Sequence, residues 1–132
     1  MSCDDTPLEA GLAFAVHFEK AAPFLGREAL LRQRAAGVYR RLASFVLTDP
    51  EPVLWGGERI FRDADCVGYT TSASYGHTVG GAVALGYIRR KEPITADWIR
   101  AGRYAIDLAG TQYAATATLV PPYDPAGARI RA

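Results

Sequence analysis

From Arg40 to Leu119, short runs of alternating residues recur at intervals of roughly ten, each cut off by glycine or proline. Runs of that length and spacing indicate a small antiparallel barrel or sandwich. Leu42, Ser44, Val46 and Thr48 alternate with Arg41, Ala43, Phe45 and Leu47, and Asp49-Pro50-Glu51-Pro52 ends the run. Val53–Trp55 and Glu58–Phe61 read as two short strands about Gly56-Gly57. The turn Arg62–Asp65 leads into a strand over Cys66–Ser72, followed by a looser stretch from Ala73 to Thr78. Val83–Ile88 is a further strand, with Gly80, Gly81 and Gly86 pointing to close backbone approach or bulges. Ile94–Ile99 reads as a short helical turn. The last hairpin puts Tyr104, Ile106 and Leu108 on one face, turns at Ala109-Gly110, and returns Tyr113, Ala115, Ala117 and Leu119 to that face. An extended tail follows from Pro121 to Pro125.

Ahead of this region, Leu12, Phe14, Val16 and Phe18 alternate with small or polar residues, which predicts a strand. Ala21-Ala22-Pro23 breaks it, and a helix is expected over Arg27–Ala36 with Gly37 as its stop. The expected fold class is therefore mainly β: a small, Greek-key-like antiparallel β-barrel preceded by a strand and one α-helix. Residues 1–37 are the linker strand and helix, and residues 38–132 the barrel.

The chain has 132 residues, about one domain, and hydrophobic residues make up 49% of it, enough for a core. Its formal charge is +1, with acids and bases interspersed, which argues against nucleic acid as a partner. Arg27, Arg32, Arg34, Arg40 and Arg41, and then Arg89, Arg90 and Lys91, read as solvated faces, as do Asp4 and Asp5 near the start. The apolar runs fall short of the roughly 20 residues that cross a bilayer, so no membrane partner is expected. No basic and apolar leader pair opens the sequence, so the cytoplasm is the expected location. Cys3 and Cys66 lack metal or redox spacing and read as buried or free thiols.

No nucleophile elbow, phosphate loop, dinucleotide fingerprint or metal-ligand cluster is present, so no catalytic or metal-binding residue is assigned. His17 reads as a surface or hydrogen-bonded histidine. His77, beside Tyr75 and Gly76 in a loop, is either structural or ligand-contacting. Glu9 sits among apolar neighbours and needs a salt bridge or backbone amides. Tyr123 follows two prolines that stiffen its backbone, which suits a ring held over a ligand or neighbouring domain, or one that pins the tail to the barrel. Trp55 reads as core, or as a cover over an opening of the barrel.

Six local motifs occur in order: Thr6-Pro7-Leu8-Glu9-Ala10-Gly11-Leu12, Phe24-Leu25-Gly26-Arg27-Glu28-Ala29-Leu30, Gly56-Gly57-Glu58, Gly68-Tyr69-Thr70-Thr71-Ser72, Ala84-Leu85-Gly86-Tyr87-Ile88 and Pro122-Tyr123-Asp124-Pro125-Ala126-Gly127. Together they resemble the C-terminal region of the glycine-cleavage T-protein (aminomethyltransferase) superfamily, and most of all the tails of dimethylglycine and sarcosine dehydrogenases and oxidases. The resemblance implies a linker strand and helix leading into a small antiparallel barrel. It also implies tetrahydrofolate as the cofactor of the full enzyme, held mainly by preceding domains and not expected to bind this chain tightly alone. The family's assisting aspartate, and its folate-contacting glutamate and arginine, fall before the Thr-Pro-x-Glu-Ala cassette. Ala73-Ser74 departs from the family's two glycines, and Gly80-Gly81 stands where a lysine often follows the glycine.

The resulting expectation is a barrel module that helps complete a tetrahydrofolate site and does not catalyse alone. Tyr75, His77 and Tyr123 are its candidate cofactor-binding residues. Its expected partner is the catalytic and folate domain of a parent enzyme or a separate subunit, with self-association possible through the docking face. The alternative is a free-standing protein-interaction or small-ligand-binding barrel. An RNA-associated barrel is a third reading, disfavoured by the near-neutral charge.

Overall fold

The computed structural model describes residues 3–129 and 131, so the expected segments' outermost residues, Met1, Ser2, Ile130 and Ala132, lie outside the described residues. Among these, six strands close a barrel: β1 (Arg40–Leu47), β2 (Arg59–Arg62), β3 (Asp65–Gly76), β4 (Gly81–Arg89), β5 (Tyr104–Leu108) and β6 (Thr111–Thr118). Their order around the barrel is β1-β4-β3-β2-β5-β6, and every neighbouring pair is antiparallel. β2, β3 and β4 are consecutive, while β1 lies beside β4 and reaches β2 by a long connection, which is a Greek key. Pairing of β6 with β1 removes the open edge.

Strand parity fills the interior. Ala43, Phe45 and Leu47 of β1 face Ala82, Ala84 and Ile88 of β4, together with Ile60 and Ile106. The Tyr104 ring meets Phe45 edge-on at 5.6 Å. Gly68 pairs with Ile88, and a Cβ there would run into the Tyr87 carbonyl oxygen; at Gly86 it would come within 2.8 Å of the Tyr69 carbonyl oxygen. These two glycines let β3 and β4 approach closely where the β3 register shifts between Thr70 and Ser72.

The expected helix forms as α1 (Arg27–Ala36), ending at Gly37. The helical turn forms as α2 (Ala96–Ala101), where Thr95 Oγ1 accepts from the Trp98 amide at 3.1 Å and Ile99 enters the core. Arg62 and Arg90 lie over the Trp98 ring, with guanidinium carbons 4.3 and 5.0 Å from its centroid.

Four expectations are corrected. Leu12–Phe18 is not a strand: it runs through turns and a 3-10 segment at Ala13–Ala15, with Phe14 86% exposed. A strand needs a neighbour for its ladder, and here the backbone bonds to itself, from Ala15 N to Leu12 O and from Val16 N to Ala13 O. Val53–Trp55 is irregular, with the Trp55 amide turned to Glu58 instead of to a neighbouring strand. Trp55 is 83% exposed and is not core. The stretch expected to be loose from Ala73 to Thr78 is strand through Gly76, since β3 continues along β4, and only His77 and Thr78 lie in a turn. Cys3 and Cys66 are both free and exposed.

Candidate functional site

Among the described residues, three clusters of polar chemistry outside the barrel ladder bear on the site. The first is the strap of residues before α1. Thr6 Oγ1 accepts from the Glu9 amide at 3.2 Å, and Glu9 Oε2 accepts from the Thr6 amide at 3.1 Å, a reciprocal capping box with Pro7 in the first turn position. The turn closes through Ala10 N to Thr6 O, and Gly11 leaves it with φ +76. Glu9 thus takes backbone amides, as expected, with Arg40 at 4.0 Å as a further partner.

Arg40 and Asp5 are not on solvated faces. Arg40 pairs with Asp5, whose side chain is 2% exposed, and its guanidinium carbon lies 3.8 Å from the Tyr87 ring centroid. Burial, then the charge of Asp5 and a hydrogen bond to it, raise the Tyr87 phenol above its ordinary value. Arg27 likewise donates through Nε and Nη2 to the Phe18 carbonyl at 3.1 and 3.0 Å. Arg40 thus ties the strap to β1 and Arg27 ties α1 to the strap, roles their spacing in sequence does not reveal.

The second cluster is the loop before β2. The Glu58 carboxylate accepts from the Trp55 amide at 2.6 Å, from the Gly56 amide at 3.0 Å and from the Thr70 hydroxyl. Partial burial works against its charge, yet those donors prevail and hold its carboxyl below the ordinary value. Leu54 is buried beneath the loop, so Trp55 is presented to solvent on a clamped backbone.

The third cluster is the tail. After Pro121-Pro122, the Asp124 carboxylate accepts from the amides of Ala128 and Arg129 at 2.9 and 3.0 Å, curling residues 124–129 into a compact turn. Arg129 donates to the Tyr123 hydroxyl, with its guanidinium carbon 5.7 Å from that ring's centroid, and Arg131 donates to the carbonyls of Ala126 and Gly127. Tyr123, Asp124, Arg129 and Arg131 line a cavity of about 790 Å³ with Phe14 of the strap. Two aromatic rings and two guanidiniums around one space suit a flat ligand with an anionic end.

The three candidate cofactor residues do not meet. Tyr75 pairs with Ala82 at the end of the barrel where β1 finishes, and its ring meets His77 edge-on at 5.1 Å. β6 runs the other way, with Thr118 beside Ser44, so the tail leaves toward the end where β1 begins. Tyr123 therefore sits with the strap, and neither Tyr75 nor His77 is among the residues lining its cavity. Arg129, Arg131 and Phe14 were not singled out for this site, because nothing in sequence joins residues from both ends of the chain. His17 is exposed, consistent with its surface reading. Among the described residues no group of three or more His, Cys, Asp or Glu side chains is placed to hold a metal ion, and no helix is long and apolar enough to cross a membrane.

Comparison with known proteins places this architecture. Residues 40–124 match the family model of the glycine cleavage T-protein C-terminal barrel domain. Human mitochondrial sarcosine dehydrogenase is 42% identical over 130 residues, covering 97% of this chain and 14% of that protein. The mouse mitochondrial pyruvate dehydrogenase phosphatase regulatory subunit is 42% identical over 127 residues, covering 88% of this chain and 14% of that protein. The crystal structure of glycine cleavage system aminomethyltransferase T from Bartonella henselae superposes with a TM-score of 0.74 at 26% identity, covering 92% of this chain and 33% of that one. The chain thus spans about one-seventh of the length of these curated relatives, as a barrel module does in a larger protein. By its matched residues and its closed Greek-key barrel, the chain belongs to the glycine cleavage T-protein C-terminal barrel domain family.

Proposed function

We propose that the tail cavity is this module's contribution to the tetrahydrofolate site of a larger aminomethyltransferase- or sarcosine dehydrogenase-like enzyme, and that the module does not turn over substrate alone. The observation that carries this reading is the joining of Phe14, Tyr123, Arg129 and Arg131 around one cavity. Those residues fit part of the cofactor: the Tyr123 ring offers a face to a flat aromatic body, and the two guanidiniums offer donors to its carboxylates. Tetrahydrofolate, when bound in the complete enzyme, supplies the acceptor for a one-carbon unit. The barrel's residues orient and enclose; none is a positioned acid–base pair for the transfer itself. The Tyr75–His77 pair, at the opposite end, is assigned in this reading to contacts with the adjoining domain that carries the remaining folate residues. The module is placed in the cytoplasm in this reading, although the two mammalian relatives carry mitochondrial names. An assay of tetrahydrofolate-dependent demethylation by this chain alone is expected to show no turnover, and measurable turnover would overturn the reading.

A second reading, a protein-interaction module, is favoured by one relative being a regulatory subunit and by Trp55 standing exposed on a clamped loop. Light scattering over a range of concentrations separates it in part: growth of the particle mass with concentration, abolished by Trp55→Ala, supports docking through that loop. A monomer at all concentrations removes self-association from this reading.

A further inference from the structure

A second cavity, separate from the tail, lies between the strap, α1 and the start of β1. It measures about 390 Å³ and is lined by Leu8, Ala13, Phe18, Arg34, Val38 and Arg41. Leu8 and Phe18 are buried and form its apolar floor. Arg41 stands opposite Ile88 and shares strand parity with Ala43, Phe45 and Leu47, so it belongs to the inward row of β1 at the end of the barrel. Arg34, exposed on α1, lines the cavity with its guanidinium carbon 5.2 Å from the Phe18 ring centroid.

Unlike Arg27 and Arg40 beside them, these two arginines have no counter-charge among the described residues. Arg27 has Glu28 as well as the Phe18 carbonyl, and Arg40 has Asp5 and Glu9. Arg34 and Arg41 form no ion pair among the described residues, and Arg41 Nε is buried without a hydrogen-bond partner. Glu9 of the strap is already committed to the Thr6 amide and Arg40. A buried guanidinium nitrogen left unpaired is costly, and two cations facing one space add repulsion. An oxyanion between them would remove both penalties, and a planar carboxylate matches the guanidinium fork.

We infer that this cavity binds a small carboxylic acid with an apolar body, its carboxylate held by Arg34 and Arg41 and its hydrocarbon lying against Leu8, Phe18 and Val38. The volume falls in the lower part of the range of small-molecule sites, about 300 to 1,000 Å³, which suits a ligand of roughly one ring. The inference is independent of the folate reading, since no residue is shared between the two cavities.

Calorimetric titration of the chain with benzoate, its neutral analogue benzamide and inorganic phosphate tests it. Benzoate is expected to bind saturably, benzamide not to bind, and phosphate to bind more weakly because it has nothing to lay on the apolar floor. Arg34→Gln and Arg41→Lys should each weaken benzoate about tenfold or more, the loss expected of one charge-assisted contact. Arg41→Lys keeps the charge and most of the stem, so its unliganded melting temperature should stay near the parent's and separate lost binding from lost folding. Tyr123→Ala should leave benzoate binding unchanged. Equal binding of benzamide, unaltered affinity in both arginine variants, or no saturable benzoate binding would each overturn the inference.

Discussion

The barrel wall and its two attached ends are built from different materials. In the wall, every strand has two neighbours, the backbone bonds run through a closed ladder, and Phe45, Ile60, Ile88 and Ile106 are fully buried. The strap and the tail have no ladder; beyond one backbone bond from Leu42 N to Glu9 O, charged side chains fasten the strap, through Arg40 on Asp5 and Arg27 on the Phe18 carbonyl, and curl the tail on itself, through Asp124 on two amides and Arg129 on Tyr123. Burial of apolar surface is non-directional and tolerates any ligand-free state, so the wall is a support. Directional, charged fastenings leave cavities lined by polar groups, and the two cavities described above lie at the attached ends. Function is therefore sought at the fastenings, with the wall holding them in place.

The contrast is broken most severely from inside the wall. Gly68→Ala sets a methyl group against the Tyr87 carbonyl on a paired strand, where neither backbone can yield. A loss of about 3 kcal/mol or more is expected in denaturant unfolding. A cost below about 1 kcal/mol would show that β3 and β4 do not approach as described.

Cutting the strap is expected to be milder and local. Arg40→Ala removes the pair with Asp5 and the contact with the Tyr87 ring, at about 1 to 2 kcal/mol. Amide exchange should speed up over residues 6–18 while the slowest amides of β1, β4 and β5 keep their relative protection. Uniform acceleration across the barrel would erase the distinction between wall and fastening.

The smallest effect is at the loop before β2. Glu58→Gln keeps the shape but loses the charge that the amides of Trp55 and Gly56 address, at about 1 kcal/mol. The folded carboxyl lies below its ordinary value, so its contribution is present above the unfolded carboxylate value and is lost as the pH falls through the folded one. The difference in stability between parent and variant should therefore be full at neutral pH and vanish in acid. A difference that is independent of pH would contradict the clamp.

Much of the wall was legible in the sequence. Alternation on both sides of Ala109-Gly110 predicts the β5–β6 hairpin, and the register sets Tyr104 opposite Ala115 and Ile106 opposite Tyr113. The same logic failed at Leu12–Phe18, because alternation states which side chains a strand would bury and says nothing of whether a neighbouring strand is at hand. Trp55 was misplaced for a related reason. Its exposure follows from Glu58 and Thr70, and the second of these lies fifteen residues on. The fastenings were the least legible, since Arg40 meets Asp5 across 35 positions and Phe14 meets the tail across nearly the whole chain. Glu9 is the exception: its partner is three residues away, so its need for an amide was readable directly.

The central claim, that the tail cavity is the folate-facing part of this module, is tested most directly by titrating tetrahydrofolate into the isotopically labelled chain and following its backbone amide resonances. The expected result is weak, fast-exchanging shifts concentrated at Phe14, Tyr123, Asp124 and Arg129, abolished by Tyr123→Ala together with Arg129→Ala. Shifts absent from the tail, or centred on Tyr75 and His77 and untouched by those substitutions, would contradict it.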